Sequence, residues 1–380
     1  MSEEERIVDA REASFARKHE QTLYGHLGFQ VFRAMHADRK GVALVDYAGA
    51  EPKEVKAESL LVLATLLADR LKKLTSAKRV GIVLPPGTGG LVANLATVFA
   101  GKVPVNLNFS LGRAALESSI ERAGLDLILS AEKVKAKLKD FPWADAYFDV
   151  GAVLEEIRGA RGQLLRRALL LSLPCGLGAS LLKIPRLGGE AEAGLLFTSG
   201  SSGTPKGVAL SHRNLLANCL QIREAAVITE GEILLGNLPL FHSFGFTVTL
   251  WFALLERIKL VTVSSPLEVK KGLKAIREEK VTILLGTPTF LRPFLRKGTE
   301  EDLASVRCVI AGAEKTPADF AEKWESSCGC RYFEGYGLTE TSPVLSINRP
   351  GDGSRKGSVG KLMPGVVARS LDPDSGEPRA

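Results

Sequence analysis

The sequence predicts an α/β fold made of two α/β lobes. Its 380 residues are 45% hydrophobic and 24% charged, so the chain can bury a large core. Between residue 79 and about residue 150, short apolar runs alternate with helical-looking stretches, and the same alternation resumes after residue 207. Alternation of this kind is typical of sheets that carry helices on both faces.

In the first lobe the apolar runs predict strands and helices in turn. The predicted strands cover 80–84, 103–108 and 125–129, and the predicted helices cover 90–101 and 113–123. Before them, the segment 23–74 has helical apolar spacing around Leu60, Leu63 and Leu67. We expect this segment to pack on the sheet and to carry no chemistry.

The segment 155–187 is apolar with basic flanks. Its basic residues are Arg158, Arg161, Arg166, Arg167, Lys183 and Arg186, and they surround the apolar run 168–174. The run is too short for a membrane span of about 20 residues and contains Pro174. Two interpretations stay open, namely a linker with a helix packed on the body, or peripheral contact with a membrane whose anionic headgroups attract the basic residues.

The run 195–207 passes abruptly from apolar residues into glycines, hydroxyl residues and a lysine. The residues of this loop are Thr198, Ser199, Gly200, Ser201, Ser202, Gly203, Thr204 and Lys206. Glycines let backbone N–H groups approach an anion, the hydroxyls add donors, and the lysine adds positive charge, a combination that suits a triphosphate. The spacing matches neither the P-loop nor the dinucleotide fingerprint. A flexible Ser/Gly linker is the alternative.

The second lobe follows this loop. Its predicted strands cover 233–238, 260–263, 281–285 and 306–311, its predicted helices cover 267–278 and 317–324, and Ser211 is predicted to cap a helix. We place the lobe boundaries at 1–187 and 188–345, with 346–380 as the start of a small β-barrel. The final residues, 372–380, have a turn-like composition, which suggests that the chain is truncated there.

Three further motifs could bind a ligand, and the first two follow predicted strands, where open α/β sheets bind ligands. They are His242 within 238–245, Gly312-Ala313-Glu314 after 306–311, and Glu334-Gly335-Tyr336-Gly337 followed by Thr339 and Glu340. A tyrosine between glycines offers a ring for stacking, a threonine hydroxyl can contact phosphate, and a glutamate is a hard oxygen ligand for Mg²⁺. A structural loop histidine and a glycine-rich turn with a surface glutamate are the alternatives.

Composition excludes some classes of function. The net charge of +7 suits nucleic acid, membrane or small polyanions alike, but 6% aromatic residues without a basic-aromatic cluster argue against nucleic-acid binding. Five unevenly spaced cysteines favour reduced thiols, and we interpret Cys328-Gly329-Cys330 as structural. The charged N-terminus lacks an apolar leader core, so we expect a cytoplasmic protein, with peripheral contact at the inner membrane as the alternative for 155–187.

Together these motifs resemble the AMP-forming adenylating superfamily, which contains acyl-CoA synthetases, luciferases and peptide-synthetase adenylation domains. The resemblance runs from about residue 25 onward and implies ATP and Mg²⁺ as cofactors and a five-layered αβαβα arrangement. It implies these roles: Tyr336 stacks on adenine beside Gly312-Ala313-Glu314, Thr339 contacts the α-phosphate, Glu340 binds Mg²⁺, Thr198, Ser199 and Lys206 hold the outer phosphates, and His242 gates an acyl pocket.

A narrower likeness concerns 103–109, 240–245, 311–315 and 343–345. These runs resemble the acyl–acyl carrier protein synthetase half of the bacterial bifunctional enzyme that reacylates 2-acylglycerophosphoethanolamine. The resemblance implies that a fatty acid is activated to acyl-AMP and passed to a thiol of acyl carrier protein or CoA.

The chain departs from the superfamily pattern at its end. The ribose-binding aspartate, the hinge and the small C-terminal domain with its adenylation lysine are expected beyond residue 380, so we expect this chain to be inactive or weakly active alone. Two alternatives stay open, a nucleotide- or acyl-binding module without turnover and an acyl-CoA synthetase for another carboxylate. Amino-acid adenylation is less favoured, because no candidate aspartate for the amino group stands out.

Overall fold

The strands of the chain gather into two main sheets. A computed structural model describes residues 12–143, 147–198, 205–349, 355 and 357–377. The described strands are β1 Val42–Asp46, β2 Lys53–Lys56, β3 Arg79–Ile82, β4 Val103–Asn106, β5 Ile128–Ser130, β6 Tyr147–Asp149, β7 Glu192–Thr198, β8 Lys206–Ser211, β9 Ile233–Gly236, β10 Lys259–Thr262, β11 Ile283–Gly286, β12 Cys308–Ala311, β13 Arg331–Gly337, β14 Val344–Asn348 and β15 Lys361–Leu362. One sheet has nine strands in the order β15-β14-β13-β12-β11-β9-β10-β1-β2, a second has four in the order β4-β3-β5-β6, and β7 and β8 form a hairpin.

Helices connect these strands and cover the sheets. Those with both ends in the described residues are Glu20–Leu23, Leu27–Ala37, Ala57–Leu74, Thr88–Phe99, Arg113–Ala123, Glu132–Lys137, Val150–Gly159, Arg161–Ser172, Cys175–Leu181, His212–Glu224, Ala253–Leu255, Val269–Glu279, Pro288–Lys297, Glu300–Leu303 and Phe320–Cys328. A π-helix covers Gly245–Phe252, and a 3₁₀ turn covers Thr339–Thr341. Among the described helices none has the length and apolar character needed to cross a bilayer.

Successive residues of the central strands point into different cores, as the two-residue period of a strand requires. In β10, Leu260 joins the core between the two sheets, whereas Val261 joins the core on the outer face of the large sheet. Helices Val269–Glu279 and Phe320–Cys328 close that outer core, and helix Arg113–Ala123 covers a third core on the far side of the smaller sheet. The predicted two-lobed αβαβα arrangement is therefore confirmed.

The large sheet contains two strands that were not predicted from the sequence. Strands β1 and β2 lie in the segment 23–74, for which only helical packing was predicted, and they belong to the nine-stranded sheet. β1 runs parallel to β10, with Leu44 opposite Leu260. Five residues of β1 carry no alternation of their own, so their partner is set by the tertiary fold. The lobe boundaries at 187 and 345 stay predictions.

The segment after residue 343 extends the large sheet. β14 pairs antiparallel with β13, and β15 pairs antiparallel with β14. In the described residues this segment therefore forms the edge of the nine-stranded sheet, and the β-barrel assigned to 346–380 stays a prediction.

Two local predictions are confirmed. Helix Arg113–Ala123 has the predicted bounds, and Ser211 forms a capping box with Asn214 at the start of helix His212–Glu224. The segment 155–187 contains helices that pack on the body, because Leu171 is fully buried and Arg167 forms an ion pair with Asp69 of helix Ala57–Leu74. The packed-helix interpretation therefore holds for the inner side of this segment.

Two buried histidines join the N-terminal helices to the hairpin of β7 and β8. The rings of His26 and His212 lie 4.0 Å apart, and Nδ1 of His212 accepts a hydrogen bond from the backbone N–H of Leu27 at 3.0 Å. Burial, together with the charge of His212, lowers the pKa of His26 to about 3. Burial, together with the charge of Lys78, lowers the pKa of His212 to about 4. Both rings are therefore neutral in the folded protein at neutral pH.

We expect acid to destabilise the fold through this pair. Below the ordinary histidine pKa of 6.5 the unfolded chain binds protons that the folded chain excludes. The free energy of unfolding therefore decreases as the pH is lowered below 6.5. Between about pH 6.5 and pH 5 the loss is on the order of 1 kcal/mol per pH unit for each histidine. Urea titrations at several pH values measure this slope. His212→Asn removes one of the two titrating groups but keeps an acceptor for the N–H of Leu27, so the pH dependence of stability should become weaker. An unchanged slope would contradict the assignment.

Candidate functional site

The predicted motifs meet at one edge of the large sheet. Strands β9, β11, β12 and β13 are neighbours and run parallel. Their carboxyl ends lead into the loop with His242, the segment beginning at Thr287, the turn Gly312-Ala313-Glu314 and the glycine-rich hairpin around Tyr336. This is the edge at which open α/β sheets bind ligands.

A cavity of ≈ 660 Å³ lies at this edge. The predicted site residues that line it are Thr198, His242, Gly312, Ala313, Glu314, Gly335, Tyr336, Gly337, Thr339 and Glu340. These residues come from four separate chain segments. The structure therefore brings most of the predicted site together around one space.

The turn after β12 has an unusual backbone. Ala313 has a φ of 66°, a left-handed conformation that costs free energy for a residue with a side chain. A Cβ at Gly312 would lie 3.3 Å from the carbonyl oxygen of Gly335. Oε2 of Glu314 accepts hydrogen bonds from the hydroxyl of Thr289 at 2.7 Å and from its backbone N–H at 3.2 Å. The turn is thus narrow, strained and fixed at its end by the first turn of helix Pro288–Lys297.

The hairpin between β13 and β14 presents an aromatic ring to the cavity. Tyr336 is 46% exposed and lines the cavity, although it pairs with Ser346 of β14 in the large sheet. The chain turns tightly just after it, since a Cβ at Gly337 would lie 1.8 Å from the carbonyl oxygen of Pro343. Tyr336 and the turn around Gly312 line the same cavity, and we call the space beside them the slot. A tyrosine ring and a narrow turn suit a flat aromatic base.

Thr339 and Glu340 follow this hairpin. The hydroxyl of Thr339 donates a hydrogen bond to that of Ser243 at 3.4 Å, which ties the hairpin to the loop of His242. Glu340 is exposed and is one of the residues that line the cavity. Mg²⁺ in phosphate sites is held by one or two carboxylates together with substrate phosphates and water, so this carboxylate fits as a ligand.

The predicted phosphate loop joins the two strands of a hairpin. Thr198, the last residue of β7, pairs with Lys206, the first of β8. β8 also contacts the turn Thr339–Thr341, and Arg122 donates a hydrogen bond to the carbonyl of Pro205 at 3.3 Å. Paired flanks of this kind argue against a linker between domains.

Eight of the predicted site residues either lie outside the described residues or do not line the cavity. Ser199, Gly200, Ser201, Ser202, Gly203 and Thr204 lie outside the described residues. The sequence also leads us to expect that this loop is mobile when no nucleotide is bound, and that expectation concerns the same residues. Lys206 is exposed and is not among the cavity-lining residues. Glu334 does not line the cavity either, because its carboxylate accepts a hydrogen bond from the backbone N–H of Thr316 at 3.3 Å. Their roles stay predictions.

His242 stands in the wall of the cavity. Its ring retains accessible surface, yet the surrounding protein withdraws it from bulk water, and this desolvation lowers its pKa below 6.5. The ring packs on Phe241 at 4.7 Å, and Phe241 in turn meets Phe109 edge-on at 5.0 Å. A neutral imidazole at this place can accept or donate a hydrogen bond, and it adds no positive charge to the cavity wall.

The apolar wall of the cavity could not be predicted from the sequence. Its aliphatic members are Ile222, Ala225, Val227, Ile228, Leu238, Val248, Leu285, Ile310, Val344, Ile347 and Met363. They come from helix His212–Glu224 and the segment after it, the π-helix, strands β11, β12 and β14, and residues that follow β9 and β15. Thr287 and Thr289 were also missed, although both follow the predicted strand 281–285 and the strand-end rule points to them.

A family model and several known proteins are similar to this chain. A family model described as AMP-binding enzyme matches residues 33–380. The long-chain-fatty-acid–CoA ligase of Bacillus subtilis (strain 168) is 32% identical over 209 residues, which is 52% of this chain and 36% of that protein. A feruloyl-CoA synthase from Amycolatopsis sp is 30% identical over 296 residues, covering 75% of this chain and 55% of that protein. The chain thus spans between 36% and 55% of the length of these relatives.

Solved structures show the same fold. The N-terminal domain of FACL13 from Mycobacterium tuberculosis has a TM-score of 0.77 and 21% identity, covering 93% of this chain and 86% of that one. ATP-bound MatB from Rhodopseudomonas palustris has a TM-score of 0.71 and 25% identity, covering 93% of this chain and 68% of that one. The family model matches far more than half of the chain, so the chain belongs to the family of AMP-binding enzymes.

Proposed function

We propose that the protein activates a fatty acid with Mg·ATP to form acyl-AMP and pyrophosphate, and then passes the acyl group to a thiol. One observation carries this proposal, namely that the slot formed by Tyr336 and Gly312 and a wall of aliphatic side chains belong to the same cavity. A molecule that is a nucleotide at one end and an aliphatic acid at the other fits such a space.

The chemistry needs no nucleophile from the protein. An oxygen of the fatty-acid carboxylate attacks the α-phosphorus of ATP, the bond from that phosphorus to the bridging oxygen breaks, and pyrophosphate leaves with the electron pair. A thiolate then attacks the acyl carbon, and AMP leaves. Positioned cations and N–H or O–H donors that neutralise the developing charge do most of the work in such displacements.

The cavity residues have proposed roles in this scheme. Tyr336 stacks on adenine, Thr339 donates to the α-phosphate, and Glu340 binds Mg²⁺, which offsets phosphate charge when bound. Lys206 and the hydroxyls at 198–204 hold the departing pyrophosphate. His242 separates the nucleotide end from the acyl end as a neutral gate, consistent with its lowered pKa.

The proposed acid is a fatty acid, and the proposed thiol acceptor is CoA or acyl carrier protein. The aliphatic wall and the likeness to a long-chain-fatty-acid–CoA ligase support a fatty acid, whereas the likeness to a feruloyl-CoA synthase supports an aromatic acid as the alternative. The likeness to these two proteins, both of which are CoA-forming by name, supports CoA as the acceptor. The runs 103–109 and 311–315 support acyl carrier protein instead.

Exchange of labelled pyrophosphate into ATP tests the proposal. We expect exchange that depends on an added acid and that is faster with palmitate than with ferulate, even if it is slow in this chain alone. A preference for ferulate would favour the aromatic alternative. Acid-independent nucleotide binding without any exchange would favour a binding module. Adding CoA or phosphopantetheinylated carrier protein to the same reaction identifies the acceptor through the thioester formed.

A positioning role is predicted for Thr289. Its hydroxyl holds the carboxylate of Glu314 at 2.7 Å, and losing a hydrogen bond to a charged group near the surface should weaken ATP binding by about three- to tenfold. Thr289→Val removes the donor at nearly constant size. Calorimetric titration with ATP measures the loss, and Thr289→Ser is the matched control because it keeps the donor. Equal affinities for the two variants would remove this role from Thr289.

A further inference from the structure

Two consecutive helices expose leucines on their outer sides. Leu165 and Leu169 of helix Arg161–Ser172 are 64% and 60% exposed, and Leu177 and Leu181 of helix Cys175–Leu181 are 52% and 53% exposed. Within each helix the two leucines are four residues apart and therefore lie on the same side. Single exposed leucines are common on protein surfaces, but four on adjoining helices mark a surface that meets something apolar.

Arginines flank the first pair. At about 100° per residue, Arg161 lies about 40° to one side of Leu165, and Arg166 lies about 60° beyond Leu169 on the other side. Both arginines are exposed, and neither has a described acidic partner. The same helix buries its opposite side through Leu171. The outer leucines and arginines are therefore not used in holding the helix on the protein.

The second helix packs in the same way. Ala179 is fully buried and Leu182, which follows the helix, is nearly so, while a Cβ at Gly178 would lie 3.0 Å from the carbonyl oxygen of Leu170. Arg186 lies beside this helix, since its Nη2 donates to Oγ of Ser180 at 2.8 Å. Leucine and positive charge thus occur together on this helix as well.

The part of the sequence that contains these two helices carries charge of one sign. Between Glu156 and Glu190 the sequence contains six Arg or Lys residues and no Asp or Glu. Two copies of this surface would repel each other, which disfavours self-association through it. An apolar surface with only positive charge is complementary to a bilayer that contains anionic lipids, because leucines enter the interface while arginines bind headgroup phosphates.

We propose that the leucine–arginine face, formed by Arg161, Leu165, Arg166, Leu169, Leu177 and Leu181, docks the protein on the surface of an anionic lipid bilayer. The helices lie on the membrane plane and do not enter the hydrocarbon core as a span. This docking does not depend on the proposed ligase activity, since it uses neither ATP nor the acid.

Vesicle flotation tests the face directly. The 380-residue protein should float with vesicles of phosphatidylethanolamine and phosphatidylglycerol and stay behind with phosphatidylcholine vesicles. Leu165→Ser/Leu169→Ser and Arg161→Glu/Arg166→Glu should each lower the partition coefficient by about tenfold or more. Leu267→Ser is the control for the first variant, because Leu267 is 75% exposed elsewhere. Lys133→Glu/Lys139→Glu carries the same charge change as the second, on exposed residues of another surface.

The controls should bind vesicles as the parent protein does, and thermal melting checks that every variant is folded. Three results would overturn the proposal: no flotation of the parent protein, equal flotation with zwitterionic vesicles, or unchanged flotation of both face variants. A dimer that Leu165→Ser/Leu169→Ser abolishes, without vesicle binding, would assign the face to a second copy of the chain instead.

Discussion

Replacing Glu340 by glutamine should suppress acid-dependent ATP–pyrophosphate exchange by about 100-fold or more. The change keeps the size of the side chain but removes the negative charge of a residue that lines the cavity. If Glu340 holds Mg²⁺ as proposed, the variant would hold the ion less firmly, and the charge that develops on the departing pyrophosphate would be less well neutralised. Exchange rates at several Mg²⁺ concentrations measure the effect, and the apparent affinity for Mg²⁺ should fall together with the rate.

A matched control separates loss of the ligand from loss of charge. Glu301→Gln changes the net charge equally on an exposed residue of helix Glu300–Leu303, and its exchange rate should stay within about twofold of the parent. Titration of Mg²⁺-dependent ATP binding gives a second readout that does not require turnover. Unchanged Mg²⁺ dependence in Glu340→Gln would remove the proposed role of this carboxylate.

Replacing Gly337 by alanine should destabilise the protein by about 2 kcal/mol or more. A Cβ at this position would lie 1.8 Å from the carbonyl oxygen of Pro343 and 2.7 Å from its carbon, and neither backbone atom can move without opening the hairpin. Because Tyr336 precedes this glycine, nucleotide binding should weaken together with stability. Urea denaturation measures the first effect, and calorimetric titration with AMP measures the second.

Gly335 is the natural comparison for stability. A Cβ there would meet the carbonyl oxygens of Ala311 and Ser346 at 3.7 Å, which is ordinary contact. Gly335→Ala should therefore cost less than about 1 kcal/mol. If Gly337→Ala proved as stable as Gly335→Ala, the described geometry of the hairpin would be contradicted.

The strand ends could be predicted from the sequence because their pattern is local. β12 is a short apolar run followed at once by the small residues of 312–313, and β7 ends where hydroxyl and glycine residues begin. Parallel strands bring such ends to one edge, so motifs far apart in the sequence could be expected to share a site. The capping of helix His212–Glu224 by Ser211 is local in the same sense.

The features that could not be predicted depend on contacts between segments that are distant in the sequence. β1 has the composition of many buried strands, and only the fold determines that it lies beside β10. The apolar wall of the cavity is equally invisible in the sequence, because Ile222 and Val248 have the same residue types as core positions that touch no ligand. The strain at Ala313 is likewise a property of the backbone and not of the residue type.

Binding of a stable acyl-adenylate analogue tests the central claim most directly, because it needs no turnover. Calorimetric titration would compare palmitoyl-sulfamoyl-adenosine with AMP and with palmitate. If one cavity holds both ends, the linked analogue should bind about 100-fold more tightly than either half. Tyr336→Ala should weaken the analogue and AMP alike. An analogue that binds no more tightly than AMP would show that the nucleotide slot and the aliphatic wall do not form one site.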